Sequence, residues 1–262
     1  MTNKPSVLIT GASAGIGAVY ADRFAERGHD LVLVARDRVR METLADRLNK
    51  ETGVAIEILQ ADLTAARDLV KVENRLRDDH RIGILVNNAG TAPAGGFVNQ
   101  TPDELARIVN LNAVAPVRLA GALAPRFSQA EQGAIVNIGS VVGLSPEFGS
   151  TVYGATKAFI LYLSQSLAAE LGPKGVYVQA VLPAATRTEI WDHAGYDANE
   201  RPPMMEVDEL VDAALAGFDR RETVTIPVLS NAGQWADFES ARKAMIPSFG
   251  QVHAAERYRT AA

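Results

Sequence analysis

The stretch Val7-Leu8-Ile9-Thr10-Gly11-Ala12-Ser13-Ala14-Gly15-Ile16-Gly17 decides the fold. Its apolar start reads as a short buried strand. Three glycines follow, and then a helical pattern that runs to about Arg27 and stops at Gly28. A phosphate-binding turn needs this order of strand, glycine loop and helix. Glycine lets the backbone approach a pyrophosphate, and a helix N-terminus favours the anion. The spacing Gly-x-x-x-Gly-x-Gly differs from the commoner Gly-x-Gly-x-x-Gly, and an ordinary turn with three glycines is the plain alternative.

Working outward, residues 31–35 form a second, fully apolar strand, so both of its faces are expected to be covered. The strand ends in Ala35-Arg36-Asp37-Arg38. In dinucleotide sites an acid at this point holds the ribose 2′-hydroxyl, whereas an arginine accommodates a 2′-phosphate. Ala35 cannot hold the ribose, and Arg36 can pair with a phosphate. Ser13 adds a hydroxyl in the glycine loop. NADP(H) is the expected cofactor, with NAD(H) left open by Asp37; Arg36 as a solvated loop residue is the alternative.

An amphipathic helix over 38–50 presents Met41, Leu44 and Leu48, and a third strand over 55–59 leads to Asp62-Leu63. Asp62 suits either the adenine amino group or the cap of a helix over 65–77. The fourth strand, 84–86, ends in Asn87-Asn88-Ala89-Gly90, which fits ligand contact or a plain turn. Thr101-Pro102-Asp103-Glu104 is a capping box that starts a helix towards residue 124. Pro116 lies inside that helix and has no N–H for the carbonyl of Asn112. A kink at Asn112 would free the carbonyl for a water or ligand, or would serve packing alone.

The apolar run 134–138 leads into Ser140, which is placed to direct a hydroxyl into a crevice. Residues 153–171 follow as a helix that closes on Gly172-Pro173. Tyr153 and Lys157 stand one turn apart on one face of it. An ammonium near a phenol lowers the phenol's pKa and makes it a usable acid/base, although the same pair also occurs on ordinary helix surfaces. A strand over 176–182 ends in Pro183-Ala184-Ala185-Thr186-Arg187-Thr188. Residues 189–205 read as a substrate lid, 207–218 as a helix, 224–228 as a last strand, and 229–262 as a polar tail with a helix over 235–244.

Alternation of this kind implies an α/β fold: a single doubly wound parallel sheet of about seven strands with helices on both faces. The candidate segments all fall at strand carboxyl ends or on helices able to face them, which is where such sheets bind ligands. The chain has 262 residues, 47% of them hydrophobic, and a net charge of −5, which disfavours nucleic acid as a partner. It has no cysteine and hence no thiolate chemistry, and no metal site is assigned. No apolar run is expected to span a bilayer, and residues 1–5 lead straight into a strand pattern, so a cytoplasmic location is expected.

Taken together, Thr10-Gly11-x-x-x-Gly15-x-Gly17, Asn87-Asn88-Ala89-Gly90, Asn112, Ser140 and Tyr153-x-x-x-Lys157 resemble the short-chain dehydrogenase/reductase family over residues 5–228. The resemblance implies a Rossmann-like sheet, a nicotinamide cofactor, and reversible oxidation of an alcohol to a carbonyl. It implies that Tyr153 exchanges a proton with the carbonyl oxygen and that Ser140 orients that oxygen. Lys157 would lower the tyrosine pKa and hold the ribose, and Asn112 would anchor a proton relay. It assigns Gly11, Ser13, Gly15, Ile16, Gly17, Arg36, Asp62, Leu63, Asn88, Ala89, Gly90, Pro183, Thr186 and Thr188 to the cofactor. Ala184 departs from the glycine usual after that proline. Phe148, Trp191 and Tyr196, with Met204 and Met205, suggest an apolar substrate pocket. Helices 101–125 and 153–171 form a dimer interface in the family, so a homodimer or homotetramer is expected. The competing readings are a non-catalytic NADP-binding regulator and a nucleotide-sugar epimerase or dehydratase. The complete Ser-Tyr-Lys set disfavours the first, and the short chain remaining after the last strand disfavours the second.

Overall fold

The computed structural model describes residues 4–92, 95–193 and 202–259. Contacts divide the chain into two compact units, Met1–Pro227 and Val228–Ala262. In the first, seven parallel strands lie in the order β3-β2-β1-β4-β5-β6-β7. They are β1 (Ser6–Thr10), β2 (Leu31–Ala35), β3 (Ile56–Gln60), β4 (Ile82–Asn87), β5 (Gly133–Ile138), β6 (Val176–Val181) and β7 (Val224–Thr225). The last strand is shorter than its apolar pattern suggests.

The helices of this unit are α1 (Gly15–Glu26), α2 (Arg38–Thr52), α3 (Ala66–Asp78), α4 (Pro102–Val109), α5 (Ala115–Ala130), α6 (Thr151–Leu171), α7 (Ile190–His193) and α8 (Val207–Asp219). Strand residues alternate between two cores because successive side chains point to opposite faces. Val7, Ile9, Leu33 and Val86 join Tyr20, Phe24, Met41, Leu48 and Leu215 from α1, α2 and α8. Leu8, Val32, Leu85 and Ile135 join Leu69, Leu76, Leu119, Leu123 and Phe127 from α3 and α5. Burial on both faces explains why β1 and β2 read as unbroken apolar runs.

The capping box holds as read: Thr101 and Glu104 each accept the other's main-chain N–H at the start of α4. The expected kink takes the form of a π turn, Asn110–Val114, between α4 and α5. Pro116 has no N–H to return to Asn112, and a wider turn accommodates the missing bond. One expectation needs correction. The helical run Pro102–Ala130 is, by length and composition, apolar enough to cross a membrane. Its inner face, including Leu119, Leu123 and Phe127, is buried in the second core, while Val109, Val114 and Val117 stay exposed.

The expected lid is not a plain loop in the part that is described. Residues 190–193 form α7, and Met205 bridges Thr186 in parallel, accepting from Arg187 N at 3.0 Å and donating to the Ala185 carbonyl at 2.9 Å. Tyr196 lies outside the described residues. In the second unit, helix α9 (Ala232–Ala244) starts at an Asn231 cap and carries the stacked pair Trp235–Phe238.

Candidate active site

Strand order reverses at β1, whose neighbours are β2 and β4. The carboxyl ends of β1 and β4 therefore open a crevice at the switch point. The Thr10 hydroxyl accepts the main-chain N–H of both Asn88 and Ala89 at 3.0 Å. The Asn88 amide donates to the carbonyls of Thr10 at 2.9 Å and Gly11 at 3.2 Å. Asn88 thus spends its side chain on holding the glycine loop. A Cβ at Gly17 would lie 2.3 Å from the Gly11 carbonyl, so the close passage requires glycine there. Gly15 has φ +54°, the left-handed region, and a Cβ there would lie 3.3 Å from the Thr188 methyl. Ile16 is partly buried and packs against the first core.

Helix α1 begins without a capping side chain at Ala14 and without an acid in its first turn. Its leading N–H groups and the positive end of its dipole are left for an anion. Arg36 is exposed at the end of β2 and makes no ion pair among the described residues. Asp62 closes the turn ahead of α3: its Oδ1 accepts from Thr64 N at 2.9 Å and Thr64 Oγ1 at 2.7 Å. Burial opposes its ionisation, but those hydrogen bonds, with Arg36 and Arg107 nearby, hold the carboxyl below its usual range. Asp62 does not cap α3, whose N-cap is Ala65 without a side-chain bond; it serves the turn ahead of the helix. Leu63 packs into the second core, which leaves only its backbone for a ligand. Ala89 is partly buried against that same core.

Ser140 follows β5 and caps a 3₁₀ turn, Val141–Gly143, by accepting the Val142 N–H at 3.3 Å. Its hydroxyl donates to the Pro183 carbonyl at 3.2 Å and stands near enough to the Tyr153 phenol to act on its ionisation. A Cβ at Gly143 would stand 2.6 Å from the Lys157 and Ala158 backbone, so the turn after Ser140 lies directly on α6. No sequence signal marked Gly143. The Lys157 ammonium is buried, donates to the Ile138 carbonyl at 2.9 Å, and lies 5.5 Å from the Tyr153 ring centroid. Ser140, Tyr153 and Lys157 therefore converge as the spacing requires.

The electrostatics differ from expectation. Desolvation pushes Tyr153 up to about 12, against a smaller lowering by the Ser140 hydroxyl. Burial pulls Lys157 down to about 8, and no carboxylate pairs with it among the described residues. In the protein alone, loss of water outweighs the attraction that was expected to bring the phenol toward neutrality.

Asn112 is buried in the π turn. Its amide donates to the Thr91 carbonyl at 2.9 Å and Thr156 Oγ1 at 3.2 Å, and its Oδ1 accepts from Thr91 N at 2.9 Å. A Cβ at Gly90 would lie 3.4 Å from Asn112 Oδ1 and 3.6 Å from Lys157 Nζ, which joins these groups at one place. Thr186 is buried with its hydroxyl on the Ala184 carbonyl. The Trp191 indole donates to the Thr186 carbonyl at 2.8 Å. Phe148 is 60% exposed in a turn that packs against α6 and the turn after Ser140. Asn87, by contrast, serves the core: it donates to Asn137, which donates to Ser164.

Residues 5–199 match the short chain dehydrogenase family model, and the chain belongs to that family. It is 65% identical, with a TM-score of 0.96 over 97% of this chain and 100% of the other, to a short-chain dehydrogenase from Sphingobium yanoikuyae solved with NADPH. It is 59% identical, with a TM-score of 0.92 over 98% and 99% of the two chains, to the bulky-bulky ketone specific alcohol dehydrogenase from Comamonas testosteroni. Against hydroxysteroid dehydrogenase-like protein 1 of Gallus gallus it is 31% identical over 70% of its own length and spans 56% of that protein. The uncapped α1 N-terminus, the left-handed Gly15 of the glycine loop and the Arg36 that makes no ion pair among the described residues fit a nicotinamide dinucleotide phosphate.

The Lys157 shift has a sign that can be measured. The unfolded chain keeps this proton up to about 10.5, whereas the folded chain releases it near 8. The contribution to stability is complete above the higher value and is lost as pH falls through the lower one. Comparing thermal melts of Lys157→Met and wild type, the difference should move in favour of wild type as pH rises across that window. A constant difference would mean that Lys157 is not desolvated.

Proposed function

We propose that the chain is an NADP(H)-dependent oxidoreductase that interconverts an apolar ketone or aldehyde and its alcohol. The observation that carries this is the buried Lys157 ammonium, 5.5 Å from the Tyr153 ring and one helical turn from it, with Ser140 close by and a glycine loop that leads into an uncapped helix. The reduced cofactor, when bound, supplies hydride to the carbonyl carbon. The Ser140 hydroxyl turns from Pro183 to donate to the carbonyl oxygen and so orients it. Tyr153, pushed up to about 12, is fully protonated at neutral pH and delivers its proton to the same oxygen. The Lys157 ammonium then stabilises the phenolate that remains and holds the ribose. Asn112 fixes Thr91 and Thr156 and anchors, through its main-chain carbonyl, the water that returns a proton toward Lys157. Gly11, Gly15 and Gly17 admit the pyrophosphate, and Arg36 takes the 2′-phosphate.

An apolar substrate is supported by Phe148 and Trp191, and by the specificity for bulky-bulky ketones stated for the Comamonas testosteroni protein. A homodimer is supported by Val109, Val114 and Val117 on the α4–α5 run and by Phe159 and Tyr162 on α6, all left exposed. The catalytic residues all belong to the first unit, Met1–Pro227, and the protein is read as cytoplasmic.

Tyr153→Phe should reduce turnover of a diaryl ketone with NADPH by about 10²–10⁴-fold while NADPH binding persists; near-native turnover would remove Tyr153 from its role. Arg36→Asp should weaken NADPH by at least about tenfold, the worth of a charge-assisted hydrogen bond, and leave NADH nearly unchanged. Equal losses for both cofactors would refute the phosphate contact. Light scattering should return twice or four times the chain mass, and the mass of a single chain would exclude the assembly.

A further inference from the structure

Four arginines cluster where β2 passes into α2, and three of them are already paired. Arg38 bonds Glu42 at 2.7 Å, and Arg47 bonds Asp22 at 2.5 Å and Glu51 at 2.7 Å. Arg40 reaches across the fold, and its Nη1 donates to both carboxylate oxygens of Glu189 at 2.8 Å. Arg36 alone makes no ion pair among the described residues. The helix cap fixes where Arg40 stands, because Asp37 accepts the Arg40 N–H at 3.0 Å one turn beyond the end of β2. Arg40 also lines a cavity between α1 and α2 together with Ser13 of the glycine loop. Glu189 follows Thr188, the residue that lies over Gly15, and precedes Trp191 by two positions.

Resting on the NADP(H) reading, we propose that Arg40 is a second cation for the 2′-phosphate, and that Glu189 holds it in reserve. Both partners are about half exposed, at 51% each. An ion pair so exposed is weak and readily exchanged. Arg40 Nε also lies 3.5 Å from Asp37 Oδ2, a neighbour on its own helix cap, so Glu189 is the partner it can exchange, and a phosphate dianion placed between Ser13 and Arg36 offers more charge than Glu189 does. Arg40 moves from Glu189 to the phosphate, and the turn Thr188–Trp191 is released from α2. A cofactor without that phosphate leaves the pair intact. Glu189 thereby sets a penalty on phosphate binding and links the identity of the cofactor to the chain segment beside the nicotinamide end.

The test is calorimetric titration of the full chain with adenosine 2′,5′-bisphosphate and with 5′-AMP, which need no turnover. Glu189→Gln should tighten the bisphosphate about threefold, the worth of one exposed ion pair, and leave 5′-AMP unchanged. Arg40→Gln should weaken the bisphosphate on the order of tenfold, and the double variant should behave as Arg40→Gln. In a Trp235→Phe background, Trp191 emission should shift in the same direction on adding bisphosphate as on introducing Glu189→Gln. If both single variants leave the bisphosphate/5′-AMP ratio unchanged while Arg36→Gln lowers it, the exchange is wrong and the cofactor reading stands. If wild type binds the two probes equally, the cofactor reading fails and takes the exchange with it.

Discussion

The clamp between Thr10 and Asn88 is the interaction on which the crevice depends. A hydroxyl at the end of β1 and an amide just past β4 tie two neighbouring strands together where the order of the sheet reverses. The glycine loop has no side chains to fix its own path, so its position is imposed from outside. The cost of that arrangement is space. The Asn88 amide lies 2.8 Å from where a Cβ at Gly11 would be and 2.5 Å from one at Gly17. The glycines are thus needed twice, once for the ligand's approach and once for the clamp that holds them.

A second set of bonds does the same for the catalytic side. Asn112 joins the segment after β4 to α6 through Thr91 and Thr156. Gly143 lets the turn after Ser140 lie on α6 beside Lys157. Both sets are buried or nearly so, and buried hydrogen bonds with every partner supplied favour a single arrangement over its alternatives. The two clamps meet at Gly90, whose neighbours include Asn112 and Lys157. Loop and catalytic helix are therefore referred to the same short segment of chain.

The elements that could be read in advance are those with a local cause. Apolar runs gave β1 to β6 to within about two residues, and the capping box gave the start of α4. The pairing of Tyr153 with Lys157 follows from helical period alone. What could not be read depends on contacts between residues far apart in the chain. Asn88 looks like a ligand contact, and only the approach of Thr10, 78 residues earlier, shows that its side chain is occupied. Leu63 follows a plausible contact residue but turns into the core. Pro116 located the disturbance near Asn112 correctly, yet the choice of a π turn over a bend belongs to packing. Arg40 gave no signal at all, because its partner lies 149 residues away.

The largest departure from expectation concerns charge, and it bears on the direction of the proposed chemistry. Proximity of an ammonium to a phenol makes the phenol acidic only where their attraction outweighs the loss of water. Here both lose it: Tyr153 moves up to about 12 and Lys157 down to about 8. At neutral pH both groups carry their protons, so the fold by itself prepares a proton donor and not a base. Reduction needs a donor beside a carbonyl oxygen, and this arrangement supplies one without further adjustment. Oxidation needs the phenolate, whose formation the fold opposes by burial and only the neighbouring ammonium assists. Since that ammonium itself begins to lose its proton near pH 8, raising the pH gains phenolate while spending the charge that stabilises it.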